Sequence, residues 1–145
     1  YFNSMFGTSN DEAKFIITGN NRDVNRYRWN LKNISNKLKD NNTKQSIFYN
    51  KLCSLLNIRR KQKAFHPNAQ RLNLNFGSKI YGFKRISKDK KQIVICITNL
   101  SSKPQKTRIG KNNGKIRNLL GSKINIENKK FLILKPFETV WLSNN

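Results

Sequence analysis

Residues 64–76 read AFHPNAQRLNLNF, and the hydrophobic period changes inside this stretch. Pro67 biases His66 away from helical backbone, so a helix arriving from upstream has to stop here. From Arg71 onward the pattern alternates. Leu72, Leu74 and Phe76 are apolar and asparagines stand between them, as in a half-buried strand. The junction divides the chain into residues 1–66, mixed or helical in pattern, and residues 67–145, all-β in pattern.

Downstream of the junction the strand signals repeat. KIYGFKRI (79–86) alternates, and KQIVICITNL (91–100) is a more continuous apolar run that suits a central strand. PQKTRI (104–109), KINIE (123–127), KFLILK (130–135) and ETVWLSN (138–144) continue the series. The spacers GSK, SKDK, SSKP, GKNNGK and ENK carry Gly, Asn, Ser and Asp, the residues of turns. Short strands separated by such turns predict an antiparallel sandwich or barrel.

Upstream, the clearest element is a helix from Lys44 to Lys61. Ile47, Phe48, Leu52, Leu55, Leu56 and Arg59 recur at helical spacing, with Thr43 as N-cap. The apolar stripe is expected to face a core and the lysines to face water. Arg59, Arg60, Lys61 and Lys63 fall at the C-terminal end, where cations complement the helix dipole. Residues 30–43 are polar and predict one short helical turn set in a loop. Tyr1, Phe2, Met5 and Phe6 are expected to finish a buried strand, Gly7 to Asp11 to form a turn, and Glu12 to Thr18 to be either helix or strand.

Thirty Lys and Arg against 7 Asp and Glu give the 145-residue chain a formal charge of +23, while hydrophobic residues make up 36% of it. With 9 Phe, 4 Tyr and 2 Trp, it is too aromatic for a disordered tail. The charge predicts attraction to nucleic acid or an anionic surface. Asn is abundant too, and Lys and Asn share A/T-rich codons, so genome composition explains part of the excess. Cys53 and Cys96 are far apart and, with His66 as the lone histidine, make no zinc pattern. Two reduced, buried thiols in a cytoplasmic protein are the simplest reading. No apolar run approaches the ~20 residues of a membrane span.

Arginine collects in GNNRDVNRYRW (19–29). Arg22, Arg26 and Arg28 beside Tyr27 and Trp29, with RRKQK at 59–63, combine phosphate-binding cations with stacking rings. A basic nucleic-acid- or anionic-surface-binding module is therefore one function class. Against it, lysines are spread over every segment and no RNP-like strand, KH loop or zinc knuckle appears, so only non-specific nucleic-acid binding is expected. The plainer alternative for RDVNRYRW is a surface loop in which Asp23 pairs with Arg26 or Arg22.

YFNSMFGTSND, GNNRDVNRYRW and LLNIRRKQKAFHPNA together resemble the α-amylase superfamily, glycoside hydrolase family 13, and most of all its sucrose-phosphorylase branch. The resemblance runs through the whole chain, including NLLG and LKPFETVWLSN near its end. It departs from the family's pattern at Asn20 and Asn118, where relatives often carry acids, and at Tyr27, where a His is frequent.

The resemblance implies an α+β chain. Residues 1–66 would be the terminal strand, loop and helix of a (β/α)8 barrel, and residues 67–145 an antiparallel β-sandwich domain. Barrel sites sit on the loops at the strands' C-terminal ends, and Arg22 would lie on such a loop, reaching the floor of a glucosyl pocket. Asp23 and Arg26 would orient the loop, and Asn10 and Asp11 would shape the pocket rim. The substrates implied are a glucoside and inorganic phosphate, with no metal or organic cofactor. Retaining glucosyl transfer needs two carboxyl groups ~5–5.5 Å apart, and the family carries both on earlier strands. Here Asp11 and Glu12 are loop neighbours, while Glu127 and Glu138 fall in the β-domain, so the chain holds no catalytic residue of that kind and is expected to be inactive alone. A poorly folding remnant is the third possibility, since half a barrel leaves a strand edge unpaired.

Overall fold

A β-hairpin meander follows directly from the alternation around Arg71. In the computed structural model, which describes residues 2–110, 116–128 and 130–144, β1 (Gln70–Asn75), β2 (Ile80–Ile86) and β3 (Ile93–Asn99) pair antiparallel in sequence order. The chain forms two compact units, Tyr1–Asn57 and Ile58–Asn145. In the second unit, β8 (Thr139–Ser143) and β5 (Arg117–Asn118) complete a five-stranded sheet of order β1-β2-β3-β8-β5. A second sheet of order β4-β7-β6 is built from β4 (Gln105–Arg108), β6 (Asn125–Glu127) and β7 (Phe131–Leu134). All of these pairings are antiparallel. Each predicted strand has its counterpart, and the two-residue β5 is an addition. The expected turn at GKNNGK lies mostly outside the described residues.

The reading of 91–100 as a central strand holds, for β3 is the middle strand of five. Period-two geometry sends its side chains to both faces. Ile97 joins Ile80, Val140, Leu142, Leu132 and Leu134 in a core shared by the two sheets. Val94 and Cys96 point the other way and pack with Ala64, flanked by Phe65, Phe83 and Trp141. A strand covered on both faces needs an unbroken apolar run, and this one has it. Both cysteines are free; Cys96 is buried and Cys53 only half-buried. Burial pushes the Cys96 thiol up to about 12.

Two local features fix the sandwich. Asn99 at the end of β3 is fully buried, yet all of its hydrogen-bonding capacity is used. Its Nδ2 donates to the Lys103 and Lys135 carbonyls at 2.8 and 2.9 Å, and its Oδ1 accepts from the Ser101 amide and hydroxyl at 2.9 and 2.8 Å. Lys135 follows β7, so one side chain ties the first sheet to the second. On β2, a Cβ added to Gly82 would stand 2.4 Å from the Phe76 ring. Only glycine lets that ring cross the strand.

The junction stretch is held in the same unit. A 3-10 turn at Lys63–Phe65 buries Ala64 completely. The Ala64 amide donates to Gln92 Oε1 at 2.9 Å. Arg85 donates Nε to the Ala64 carbonyl at 3.0 Å and Nη2 to the His66 carbonyl. His66 is exposed and its Nδ1 accepts from the Asn68 amide, which suits a junction residue. Phe65 and Trp141 pack edge-on at 5.0 Å. Phe137 is 67% exposed at a positive-φ turn position.

The first unit holds the helices α1 (Phe2–Met5), α2 (Glu12–Thr18) and α3 (Leu31–Lys39) and all but the last three residues of α4 (Lys44–Arg60). The expected strand end at residues 1–6 is corrected: Phe2–Met5 is a helical turn, with Tyr1 outside the described residues. A strand needs a neighbour for its amides, and the described residues of this unit contain none. Residues 30–43 hold a nine-residue helix rather than a single turn. Its N-cap Asn30 accepts from the Lys32 and Asn33 amides. Thr43 caps α4 as predicted, accepting from the Ser46 amide at 3.2 Å.

The α4 stripe departs from expectation. Ile47, Phe48, Leu55 and Leu56 are 44%, 43%, 41% and 53% exposed, and Ser46 is the helix's buried residue. Ile16 and Ile17 of α2 are more exposed still, at 79% and 84%. Helical spacing reported which residues share a face, but this unit supplies too little apolar surface to cover it: Phe6 and Ile34 are its buried hydrophobic residues. No helix among the described residues is long and apolar enough to cross a membrane.

Replacing Asn99 by Ala strands buried amides and carbonyls, and is expected to cost about 3 kcal/mol in chemical denaturation. Gly82→Ala forces the Phe76 ring aside and is expected to cost about 2 kcal/mol. An unchanged denaturation midpoint for either variant contradicts its assigned role.

Candidate functional site

Segment 19–24 is shaped by its own short polar side chains. Gly19 ends α2 with φ +63°, the left-handed conformation that stops a helix, and its amide donates to the Phe15 carbonyl. Asn20 then caps a 3-10 turn at Asn21–Asp23, its Oδ1 accepting from the Arg22 amide at 3.0 Å. Arg22 is thereby placed on a tight exposed turn, and its guanidinium forms no ion pair among the described residues.

Asp23 is the fastening point. Its Oδ1 lies 3.1 Å from Lys14 Nζ, and its Oδ2 accepts from the Thr18 hydroxyl at 2.9 Å. The expected pairing with Arg22 or Arg26 is replaced by this clasp onto α2. The Thr18 hydrogen bond first, and then Lys14, hold the Asp23 carboxyl below its ordinary value of 3.8. Lys14 and Thr18 stand four residues apart on one helical face. That spacing becomes a signal only once Glu12–Thr18 is known to be a helix.

Asp11 starts the same helix, its Oδ1 accepting from the Lys14 amide at 3.1 Å. The Asp11 amide donates to the Val24 carbonyl at 2.6 Å, which joins the start of α2 to the turn bearing Arg22. Beyond the turn, Tyr27 and Trp29 pack edge-on at 4.9 Å, and Trp29 Nε1 donates to Thr8 Oγ1 at 3.0 Å. These contacts frame an open pocket of about 300 Å³ lined by Asn10, Asp11, Tyr27 and Trp29, together with Lys37 and Gln45. The structure thus brings Asn10 and Asp11 into one pocket with two aromatic rings, while Arg22 and Asp23 lie outside its lining. Lys37 and Gln45 carry no sequence signal for this pocket, because α3 and α4 bring them in from distant positions.

Among the described residues, no three of His, Cys, Asp and Glu gather in an arrangement able to hold a metal. The polar groups here can take hydroxyls, and the rings can stack on an apolar ring face.

No protein-family model matches the chain. The fold is similar to part of the fold of solved α-amylases. It superposes on the α-amylase from H.orenii with a TM-score of 0.56, at 18% identity over 77% of this chain and 22% of that one. Against AmyP in complex with maltose the TM-score is 0.59, at 18% identity over 72% of this chain and 22% of that one. More particular relatives appear in sequence. The chain is 28% identical over 145 residues to the glucosylglycerate phosphorylase of Escherichia coli K12, covering 98% of this chain and 24% of that protein. It is 29% identical over 144 residues to the glucosylglycerate phosphorylase of Allomeiothermus silvanus, covering 98% and 23%. These likenesses bear out the resemblance to the C-terminal portion of the sucrose-phosphorylase-like branch of glycoside hydrolase family 13. The chain spans about a quarter of the length of the curated relatives it matches.

The Asp23 clasp has a pH signature. Its folded-state pKa is depressed, so the stability it contributes is present above pH 3.8 and lost as pH falls through the lowered folded value. Thr18→Val is expected to raise the Asp23 pKa, measured by carboxyl NMR titration, more than Lys14→Met does. The reverse order removes Thr18 as the main partner.

Proposed function

We propose that this chain is the C-terminal portion of a retaining glucosyl-transferring enzyme that cleaves a glucoside, such as sucrose or glucosylglycerate, with inorganic phosphate. The observation that carries the reading is the likeness to two glucosylglycerate phosphorylases over 98% of the chain. In this reading residues 1–66 close a (β/α)8 barrel, residues 67–145 form its appended sandwich domain, and the enzyme works in the cytoplasm.

The chemistry divides accordingly. One carboxylate attacks the anomeric carbon, and a carboxylic acid protonates the departing oxygen; phosphate then takes the glucosyl group from the enzyme with overall retention. Both carboxyl groups come from polypeptide outside this sequence. Arg22 contributes a planar, permanently charged fork suited to sugar hydroxyls and a fixed carboxylate. Asp23, already engaged by Lys14 and Thr18, keeps that fork in place. Asn10 and Asp11 form the rim, with Tyr27 and Trp29 beside them. The +23 charge draws phosphate toward the chain.

The uncovered apolar stripe supports the same reading. Ile16, Ile17, Phe48, Leu55 and Leu56 are more than two-fifths exposed on helices that have few buried partners of their own. Further barrel polypeptide supplies the kind of surface that such a stripe packs against.

In a full-length enzyme carrying this segment, Arg22→Ala is expected to lower kcat/KM for phosphorolysis by about 100-fold, chiefly through kcat. Wild-type kinetics rejects the assignment of Arg22. The chain alone is expected to release no glucose 1-phosphate from sucrose or glucosylglycerate, and turnover by it contradicts the division of chemistry. The isolated chain is further expected to bind a hydrophobic dye and to lose most of that signal in the double variant Leu55→Glu, Leu56→Glu. Absence of dye binding in the parent chain removes the support taken from the stripe.

A further inference from the structure

A second basin lies in the Ile58–Asn145 unit, on the face of the five-stranded sheet turned away from the shared core. Arg71 of β1 stands directly opposite Arg85 of β2. Like charges facing across neighbouring strands repel, so this placement costs stability unless something anionic joins them. Arg59, at the last turn of α4, lines the same hollow, whose volume is about 370 Å³. No carboxylate lines it, and none of the three arginines forms an ion pair among the described residues. The chain has nine arginines, so a third of them meet here.

The three are not equivalent. Arg85 is committed to the Ala64 and His66 carbonyls. Arg71 lies over the Phe83 ring, 4.9 Å from its centroid, and gives one N–H to the Tyr81 hydroxyl at 2.7 Å. Its other donors remain for a ligand. Arg59 sits 6.0 Å from the Phe65 centroid and is exposed. Phe65, Phe83 and Trp141 make the floor of the hollow.

We propose that this basin binds a small organic phosphate, its phosphoryl oxygens taken by Arg59 and Arg71 and its ring resting on the aromatic floor. Guanidinium forks match phosphate geometry in a way that lysine does not. The hollow falls within the size range of small-molecule sites. Sugar phosphates and nucleoside monophosphates share this chemistry, a phosphoryl group on a body with a stacking face. The site shares no lining residue with the pocket at Asn10 and Asp11, and its occupancy does not depend on the catalytic reading.

The test is calorimetric titration of the chain with glucose 1-phosphate, AMP and inorganic phosphate, repeated at about 0.5 M salt to screen the general charge. One saturable site is expected for at least one organic phosphate, with inorganic phosphate about tenfold weaker or worse because it lacks a ring. Arg59→Gln and Arg71→Gln are each expected to weaken binding about tenfold, whereas Arg108→Gln, an equal loss of charge outside the basin, changes it by less than about twofold. Whether AMP or glucose 1-phosphate binds more tightly identifies the body that sits on the rings. Trp141 fluorescence, followed in a Trp29→Phe background, is expected to change in parallel. The proposal is overturned by absence of saturation, by equal weakening in all three arginine variants, or by inorganic phosphate binding as tightly as the organic phosphates.

Discussion

The amide of Asn99 is where the two sheets become one domain. It is the last residue of the central strand, and it reaches both the turn that leaves that strand and the segment that leaves β7. A buried amide is tolerated only when both donors and both acceptor positions are used, and here they are. The apolar core of Ile97, Leu132, Leu134, Val140 and Leu142 supplies the driving force. That force is non-directional. The Asn99 hydrogen bonds make one relative placement of the strand ends better than its neighbours.

The same division recurs where the chain enters the sandwich. Ala64 is completely buried because Gln92 and Arg85 take up the backbone groups around it. Phe65 can then meet Trp141, while His66 is exposed. The AFHP stretch, read in sequence as a boundary, is in large part a structural fastening. A small residue fits under the sheet, an aromatic packs beside it, and a proline follows the 3-10 turn.

Much of the β unit was legible because strand signals are local. Alternation in 71–76 and 79–86 and the unbroken run in 91–100 each report a strand, and the last two report burial as well, whereas in β1 Leu72 is exposed and Leu74 half-buried. The candidate site was less legible. Arg22 and Asp23 stood out by type, and Asn10 and Asp11 by resemblance, but Lys14 and Thr18 as partners of Asp23 required knowing that residues 12–18 are helical. The sequence left that open. Lys37 and Gln45 entered the pocket on α3 and α4, through helix packing that no local pattern encodes.

The sequence by itself determined the break at Pro67, the strand order in the chain, the cap at Thr43 and the excess of positive charge, since each rests on backbone sterics, short-range periodicity or composition. Tertiary structure alone decided that Phe2–Met5 turns as a helix, that the α4 stripe stays uncovered, that Asp23 chooses Lys14 over its arginine neighbours, and that Arg71 faces Arg85. Each of these depends on which distant residue supplies the missing partner, whether for an amide, an apolar face or a charge. Partner identity is a property of the folded chain rather than of any window along it.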